Sequence, residues 1–374
     1  MNVPFYKHDI DRADIERVEE VLQGDFLTTG NVVREFQEKF ARYFNIKNCL
    51  GTTSWTDSAE ITLASWGIGD GDEVIVPTMS YIATAHCVER VGAKPVFVDS
   101  EAATGLIDVD QIQGAVSSRT KAIIPVHLYG VMPDMKKVRE VADQYDLKIL
   151  EDAAHAVGET ERDGIRPGEL GDSANFSFYA TKNITCGEGG AIITNDDSLF
   201  KKALLRTRVG TSKSASDRSR DNRYQHYDSV VIAGKCNMTN ISAALLLGQL
   251  ERIQESQEIR RQLYECYQQR FEDVSWVELP EIPEGAKSSY HIFPIKVPLG
   301  VREDIFELLA DHHIGCAVNF RPIHLMQIYR EKYGYHEGMF PVAEEFGERC
   351  VTLPFYQSLT EQQINYIVDC FKNA

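Results

Sequence analysis

No run of about eighteen apolar residues occurs anywhere in this sequence, so no membrane span is expected. Nor does the N-terminus, MNVPFYKHDIDRADIERVEEVL, contain an apolar signal region; it turns quickly into an acidic helix, and secretion is not expected. Basic residues are scarce, 39 Lys and Arg against 56 Asp and Glu, for a net charge of −17. So acidic a surface repels phosphate backbones and argues against nucleic acid as a partner. A cleft lined locally by Lys or Arg remains able to hold a small phosphorylated ligand. The eight cysteines are dispersed and form no CxxC pair, so neither a zinc site nor a redox motif is signalled. Reduced thiols in a cytoplasm are the simplest reading. A GxGxxG between a first strand and its helix is also missing, which argues against a nicotinamide dinucleotide fold. GEGG at Gly187–Gly190 is not followed by GK[ST], so it is no Walker loop. There is no internal repeat, low-complexity tract or long linker.

What is present is a chain of 374 residues, 43% of them hydrophobic, enough for a large core and long enough for two domains. Short apolar runs at Glu73–Pro77, Pro95–Asp99, Lys121–His127 and Lys148–Ala154 alternate with helical patterns such as Met135–Asp146. That alternation predicts parallel βαβ units with right-handed crossovers. Ligands in such sheets gather at the carboxyl ends of strands, where Asp99, His127 and Asp152 fall. Residues 212–228 read as an exposed, irregular loop. From Met238 to Phe271 the spacing predicts one long amphipathic helix, with a second domain starting within or after it. That domain is expected to hold a strand at Tyr290–Val297 and a helix at Arg302–His313.

The chemistry concentrates between Leu150 and Asp196. Asp152 stands at a strand end, and Lys182 follows 30 residues later in a Thr/Asn/Gly-rich loop between SFYA and AIITND. Pyridoxal phosphate needs such a pair. A lysine amine captures the aldehyde, and a carboxylate keeps the pyridine nitrogen protonated so that the ring withdraws electrons. Either residue alone is weak: a strand-end Asp is commonly a cap, and a loop Lys is commonly solvated.

The stretch SFYATKNITCGEGGAIITND resembles the lysine loop of the DegT/DnrJ/EryC1/StrS family, sugar aminotransferases of pyridoxal-phosphate fold type I. The likeness continues in order through GIGDGDEVIVPTMSYIATAHCVERVGAKPVFVD, KAIIPVHLYGVMPDM, EDAAHAVG, NMTNISAALLLGQLERI, YHIFPIKV, RPIHLMQIY and LPFYQSLT, nearly the whole chain. It implies an α/β fold: a large cofactor-binding domain over residues 1–250, with a mixed, mostly parallel sheet flanked by helices, and a smaller C-terminal α+β domain over 251–374.

The resemblance also implies roles. Lys182 holds the cofactor as a Schiff base and shuttles the substrate proton, and Asp152 pairs with the pyridinium nitrogen. Tyr81 stacks on the ring face, where plain core packing is the alternative. His155 stands where many members have Gln, near the cofactor's 3′ oxygen, and brings a titratable group with it; as a lone residue it would be a helix-face histidine. Thr56 and Asp57, opening a helix, fall at the backbone-donor position for the phosphate, and Ser177 adds a hydroxyl. Members often have Gly before that Thr; Trp55 here is a bulk able to narrow the site. Lys235 stands where Asn is frequent and Asn237 where Arg is common, in a stretch that reaches the neighbouring subunit's phosphate in this family; surface exposure is the alternative. On the substrate side Asn319 replaces a frequent His, Arg321 adds a cation or forms a structural ion pair, and His324 and Tyr329 are lesser candidates.

The implied reaction moves an amino group from L-glutamate to a keto sugar on a nucleoside diphosphate, in a cytoplasmic homodimer with sites at the interface and no metal. A small phosphorylated ketone or a cyclitol is the alternative substrate, and a non-catalytic relative holding the cofactor or a sugar is a further one. A sugar dehydratase of this kind would have His in place of Lys182.

Overall fold

The computed structural model describes residues 1–213 and 226–372. The loop expected at 212–228 falls mostly outside the described residues. Two helices lead in, α1 (Arg12–Gln23) and α2 (Asn31–Phe44). α1 opens on a capping box in which the side chains of Asp11 and Asp14 each accept the other's backbone N–H. The expected alternation follows: β1 (Asn48–Thr52), α3 (Trp55–Trp66), β2 (Glu73–Pro77), α4 (Ala83–Arg90), β3 (Lys94–Val98), α5 (Val109–Ala115), β4 (Thr120–Ile123), α6 (Met135–Tyr145) and β5 (Lys148–Asp152). After a short β6 (Glu161–Arg162) come β7 (Ser173–Ser177), β8 (Gly190–Thr194) and α7 (Asp197–Arg206).

Seven strands form one sheet in the order β1-β8-β7-β5-β4-β2-β3. Every neighbouring pair is parallel except at β8, which runs against both β1 and β7. Both faces are covered, so the strands read as continuous apolar runs rather than alternating ones. On β2, Val74 and Val76 pack with Ala59 and Leu63 of α3, while Ile75 packs with Val138 and Ala142 of α6. This arrangement brings the ends of β1, β2, β5 and β7 to one edge.

The second half contains α8 (Asn240–Glu251), α9 (Ile253–Phe271), β9 (Ala286–Lys287), β10 (Phe293–Lys296), α10 (Arg302–Asp311), α11 (Gln327–Tyr333), α12 (Pro341–Arg349), β11 (Cys350–Leu353) and α13 (Glu361–Lys372). β10 and β11 pair antiparallel over a second core that includes Tyr267, Phe293, Ile295, Val351 and Phe371. The long helix expected from Met238 is two helices, broken at Arg252 (φ −99°, ψ 17°). The guanidinium there is held by Asp14 at 2.5 Å and Asp11 at 3.4 Å. α8 is moreover not amphipathic: Ala243, Ala244, Leu246, Leu247 and Leu250 are all buried. We infer a domain boundary near residue 250, because α8 packs in the sheet's core and Tyr264, Tyr267 and Phe271 of α9 in the second.

Asp99, expected at a ligand-gathering strand end, is spent on docking. Its carboxylate accepts the N–H groups of Val342 (3.2 Å) and Ala343 (2.8 Å) and so caps α12.

Candidate active site

A cavity of about 610 Å³ lies at the sheet edge where β1, β2, β5 and β7 end. Lys182 enters it from the loop between β7 and β8. That loop is closed by Phe178 N–H to Gly189 O (2.8 Å) and Cys186 N–H to Phe178 O (3.1 Å). Gln249 of α8 grips it from behind, accepting Thr185 N–H at 2.9 Å and donating to Thr185 O at 2.8 Å. The last glycine of GEGG has a steric reason: a Cβ on Gly190 would stand 2.4 Å from the Ser54 carbonyl at the start of α3.

Asp152 ends β5 on the cavity floor. Its carboxylate accepts Thr84 Oγ1 at 2.9 Å and Ala154 N–H at 3.2 Å. Burial raises its pKa to about 6, against the pull of those two bonds, Lys182 and His127. Burial lowers Lys182 to about 8, with Asp152 opposing. The two shifts carry the signature of a functional pair: each charge is costly alone and eased by the other. Beneath them lies a fully buried contact between His127 Nε2 and Glu151 (2.8 Å), whose other oxygen accepts Gly171 N–H at 2.7 Å.

A lysine captures an aldehyde only as the neutral amine. At pH 7 roughly one Lys182 in ten would be neutral, against about one in some thousands for an ordinary lysine. Cofactor capture by the cofactor-free protein is therefore expected to quicken as pH rises from 6 to 8 and to level off above about 8. Stopped-flow growth of the visible band checks this; a rate still climbing tenfold per unit at pH 10 would show an unshifted amine.

His155 lines the cavity and is buried. Its Nδ1 accepts Tyr129 N–H at 3.2 Å, so the ring proton resides on Nε2. Among the described residues Nε2–H has no hydrogen-bond partner. Burial, then Lys182, hold the imidazole well below its ordinary range. The titratable group expected here is accordingly a fixed neutral donor. Tyr81 is 61% exposed on the cavity wall, which sets aside core packing for it. Ser177 and Thr56 also line the cavity.

At the opening of α3 the N-cap is Ser54, which accepts Asp57 N–H at 3.0 Å. The Asp57 carboxylate turns back to the Ser54 hydroxyl (2.8 Å), and the residue does not line the cavity. Among the described residues the N–H groups of Trp55 and Thr56 have no partner. Trp55 is 6% exposed, belongs to the buried cluster with Ala59, Val76 and Val88, and also lines the cavity.

Asn319 lines the cavity beside Phe320. Arg321 is exposed, is not among the lining residues and forms no ion pair among the described residues. His324 is a correction: it is fully buried between Thr78 Oγ1 (2.6 Å) and Glu344 (3.0 Å) and joins β2 to α12. Tyr329 is another: it is 1% exposed and packs edge-on against Phe97 at 5.4 Å. Lys235 is exposed, contacts Asn237 and does not line this cavity in its own protomer.

Thr84, His291 and Phe320 are among the lining residues that escaped the sequence reading. His291 opens the HIF of YHIFPIKV and Thr84 lies in SYIATAH, both within segments whose likeness was already visible.

An amine and a carboxylate facing one cavity at the carboxyl edge of a mostly parallel sheet, with a bare helix N-terminus beside them, define a pyridoxal-phosphate enzyme of fold type I. The model of the DegT/DnrJ/EryC1/StrS aminotransferase family matches residues 8–372. The chain belongs to that family, and pyridoxal phosphate is its cofactor. Among similar proteins, the spore coat polysaccharide biosynthesis protein SpsC of Bacillus subtilis is 34% identical over 99% of this chain and 96% of its own length. GDP-perosamine synthase of Escherichia coli O157:H7 is 33% identical over 98% and 97%. Spr1654 of Streptococcus pneumoniae in its PMP-form superposes with a TM-score of 0.93 at 31% identity, covering 100% of this chain and 98% of that one. Its PLP-form gives 0.92. The residues here suit the cofactor: an amine for its aldehyde, a carboxylate for its ring nitrogen, an unpartnered imidazole N–H and two free backbone N–H groups for its phosphate. Among the described residues no helix is long and apolar enough to cross a membrane, and no group of side chains is suited to a metal ion.

Proposed function

We propose that this enzyme transfers the amino group of L-glutamate to a keto sugar carried on a nucleoside diphosphate, probed most directly at Lys182. The observation that carries the reading is the Lys182–Asp152 pair at the base of a cavity of about 610 Å³, in a chain akin to GDP-perosamine synthase.

Bound pyridoxal phosphate supplies the carbon that carries the amino group between donor and acceptor, and a cationic ring that takes up the electron pair left when a substrate C–H proton departs. Lys182 holds the cofactor between substrates. When free, its Nζ would take the proton from the donor carbon and hold it for return. Asp152 keeps its charge beside the ring nitrogen and so holds the proton there. Tyr81 covers one ring face. His155 donates through Nε2, and the opening of α3 takes the phosphate. Water supplies the keto oxygen as glutamate leaves as 2-oxoglutarate; in the reverse half the sugar's carbonyl oxygen leaves as water and the amino sugar departs.

A second copy completes the site in this reading. Among the described residues Lys182 is the one cation lining the cavity, yet the cofactor phosphate and the donor carboxylates are anions. Lys235, exposed beside Asn237, meets the partner's phosphate in this reading. Phe26 (57%), Val230 (56%) and Ile232 (97%) are apolar and exposed, as a face awaiting another copy would be. Arg321, exposed next to Phe320 and without an ion pair among the described residues, supports a substrate phosphate.

A coupled assay with glutamate across nucleotide-linked keto sugars, small keto phosphates and cyclitol ketones tests the substrate. Turnover is expected with a nucleotide-linked sugar. Turnover confined to the small ketones would replace that reading, and a visible band unmoved by glutamate would exclude glutamate as donor.

A further inference from the structure

The segment Ser288–His291 leaves the second core and wedges between the Tyr129 turn and the lysine loop. Ser289 N–H donates to Gly130 O (3.2 Å) and His291 N–H to Tyr129 O (3.3 Å). Buried Arg260 donates to the carbonyls of Tyr290 (3.1 Å) and His291 (3.3 Å) and fixes the segment from behind. The imidazole of His291 is buried and lines the cavity. Asn183, next to Lys182, spends its amide N–H groups on Val157 O and Ser289 O, each at 2.9 Å. Its Oδ1 must therefore accept, and His291 Nδ1, at 2.9 Å, carries the proton. The His291 ring lies 4.3 Å from that of His155, centroid to centroid. Tyr129, at φ +60°, turns its N–H to the His155 ring and its carbonyl to the His291 backbone N–H, so one residue holds the imidazole of His155 and the main chain of His291.

We propose that His291 is a positioning residue: pinned to Asn183 beside Lys182 and packed against His155, it holds the His155 ring so that Nε2–H meets the cofactor's phenolic oxygen. The inference rests on assigning His155 to that oxygen. The Tyr129 N–H alone leaves the His155 ring free to swing about the axis of one hydrogen bond. The second imidazole closes that freedom and ties it to the loop that carries the lysine. Phe320, stacked on His155 at 5.9 Å and 15°, bounds the ring as well.

The test reads the visible band of the loaded enzyme against pH. A neutral donor draws charge from the phenolic oxygen and loosens its hold on the proton it shares with the Lys182 nitrogen. Losing that donor strengthens the hold. His155→Phe is therefore expected to raise the titration midpoint by about one pH unit. His291→Asn keeps a donor for Asn183 but removes the packed ring. It is expected to raise the midpoint in the same direction, and the double variant to go no further than His155→Phe. A midpoint unmoved by His291→Asn, while His155→Phe moves it, overturns the inference. A midpoint unmoved by His155→Phe overturns the assignment of His155, and the inference with it. Should His291→Asn not fold, nitrogen-15 imidazole spectra of the native loaded enzyme decide. Neutral rings at pH 7, protonated on Nε2 in His155 and Nδ1 in His291, are expected; any other tautomer at His155 overturns the inference.

Discussion

Lys182→Ala should lose turnover by at least about 10⁴-fold, the upper end of what one positioned proton-transfer group supplies, with the covalent hold on the cofactor lost in addition. The position has no substitute nearby: among the described residues no other Lys or Arg lines the cavity. Borohydride should then fix no cofactor to the chain, and the visible band of the lysine-bound cofactor should be absent. Lys182→Arg should fail equally, since a guanidinium stays protonated and cannot capture an aldehyde. Wild-type turnover in Lys182→Ala would end the catalytic reading of this residue.

Asp152→Asn should cost roughly 10²- to 10⁴-fold in turnover, because a neutral amide cannot hold the ring nitrogen protonated. The same substitution should stabilise the cofactor-free protein. The folded carboxyl titrates at about 6, above its unfolded value, so the folded state disfavours the charged form. Its penalty is absent below the unfolded value near pH 4 and full above about pH 6. The gain from Asn should thus appear at pH 8, up to about 3 kcal/mol, and vanish at pH 4. Denaturant titration of the cofactor-free proteins at the two pH values measures it; equal stability at pH 8 would show that burial imposes no such penalty. A residue that costs stability and is needed for turnover is what selection for function leaves behind.

The α/β architecture was legible because buried parallel strands are short, apolar and bounded by helical patterns: Glu73–Pro77 and Lys148–Ala154 were visible as strands at once, the second ending at Asp152. So was the Lys182–Asp152 pair, through the family resemblance of the segment that carries both. The break at Arg252 was not, since its cause is a carboxylate 238 positions earlier. Likeness to a family fixes where a residue falls along the chain, not where its side chain points. His324 and Tyr329 follow Asn319 closely, yet their side chains turn into the protein and his does not, a difference made by the turn at Ile323–Leu325. His291 was hidden for a similar reason: its meaning depends on Asn183, 108 positions away.

The site draws on both cores. Lys182, Asp152 and Thr84 are set by the large sheet, whereas His291, Asn319 and Phe320 arrive from the other side of the inferred boundary. Colour and turnover are thereby separable properties of one molecule. A protein whose second core has loosened while its sheet stands would still bind the vitamin and look yellow, yet process nothing, so absorbance alone would overcount the working enzyme in any preparation.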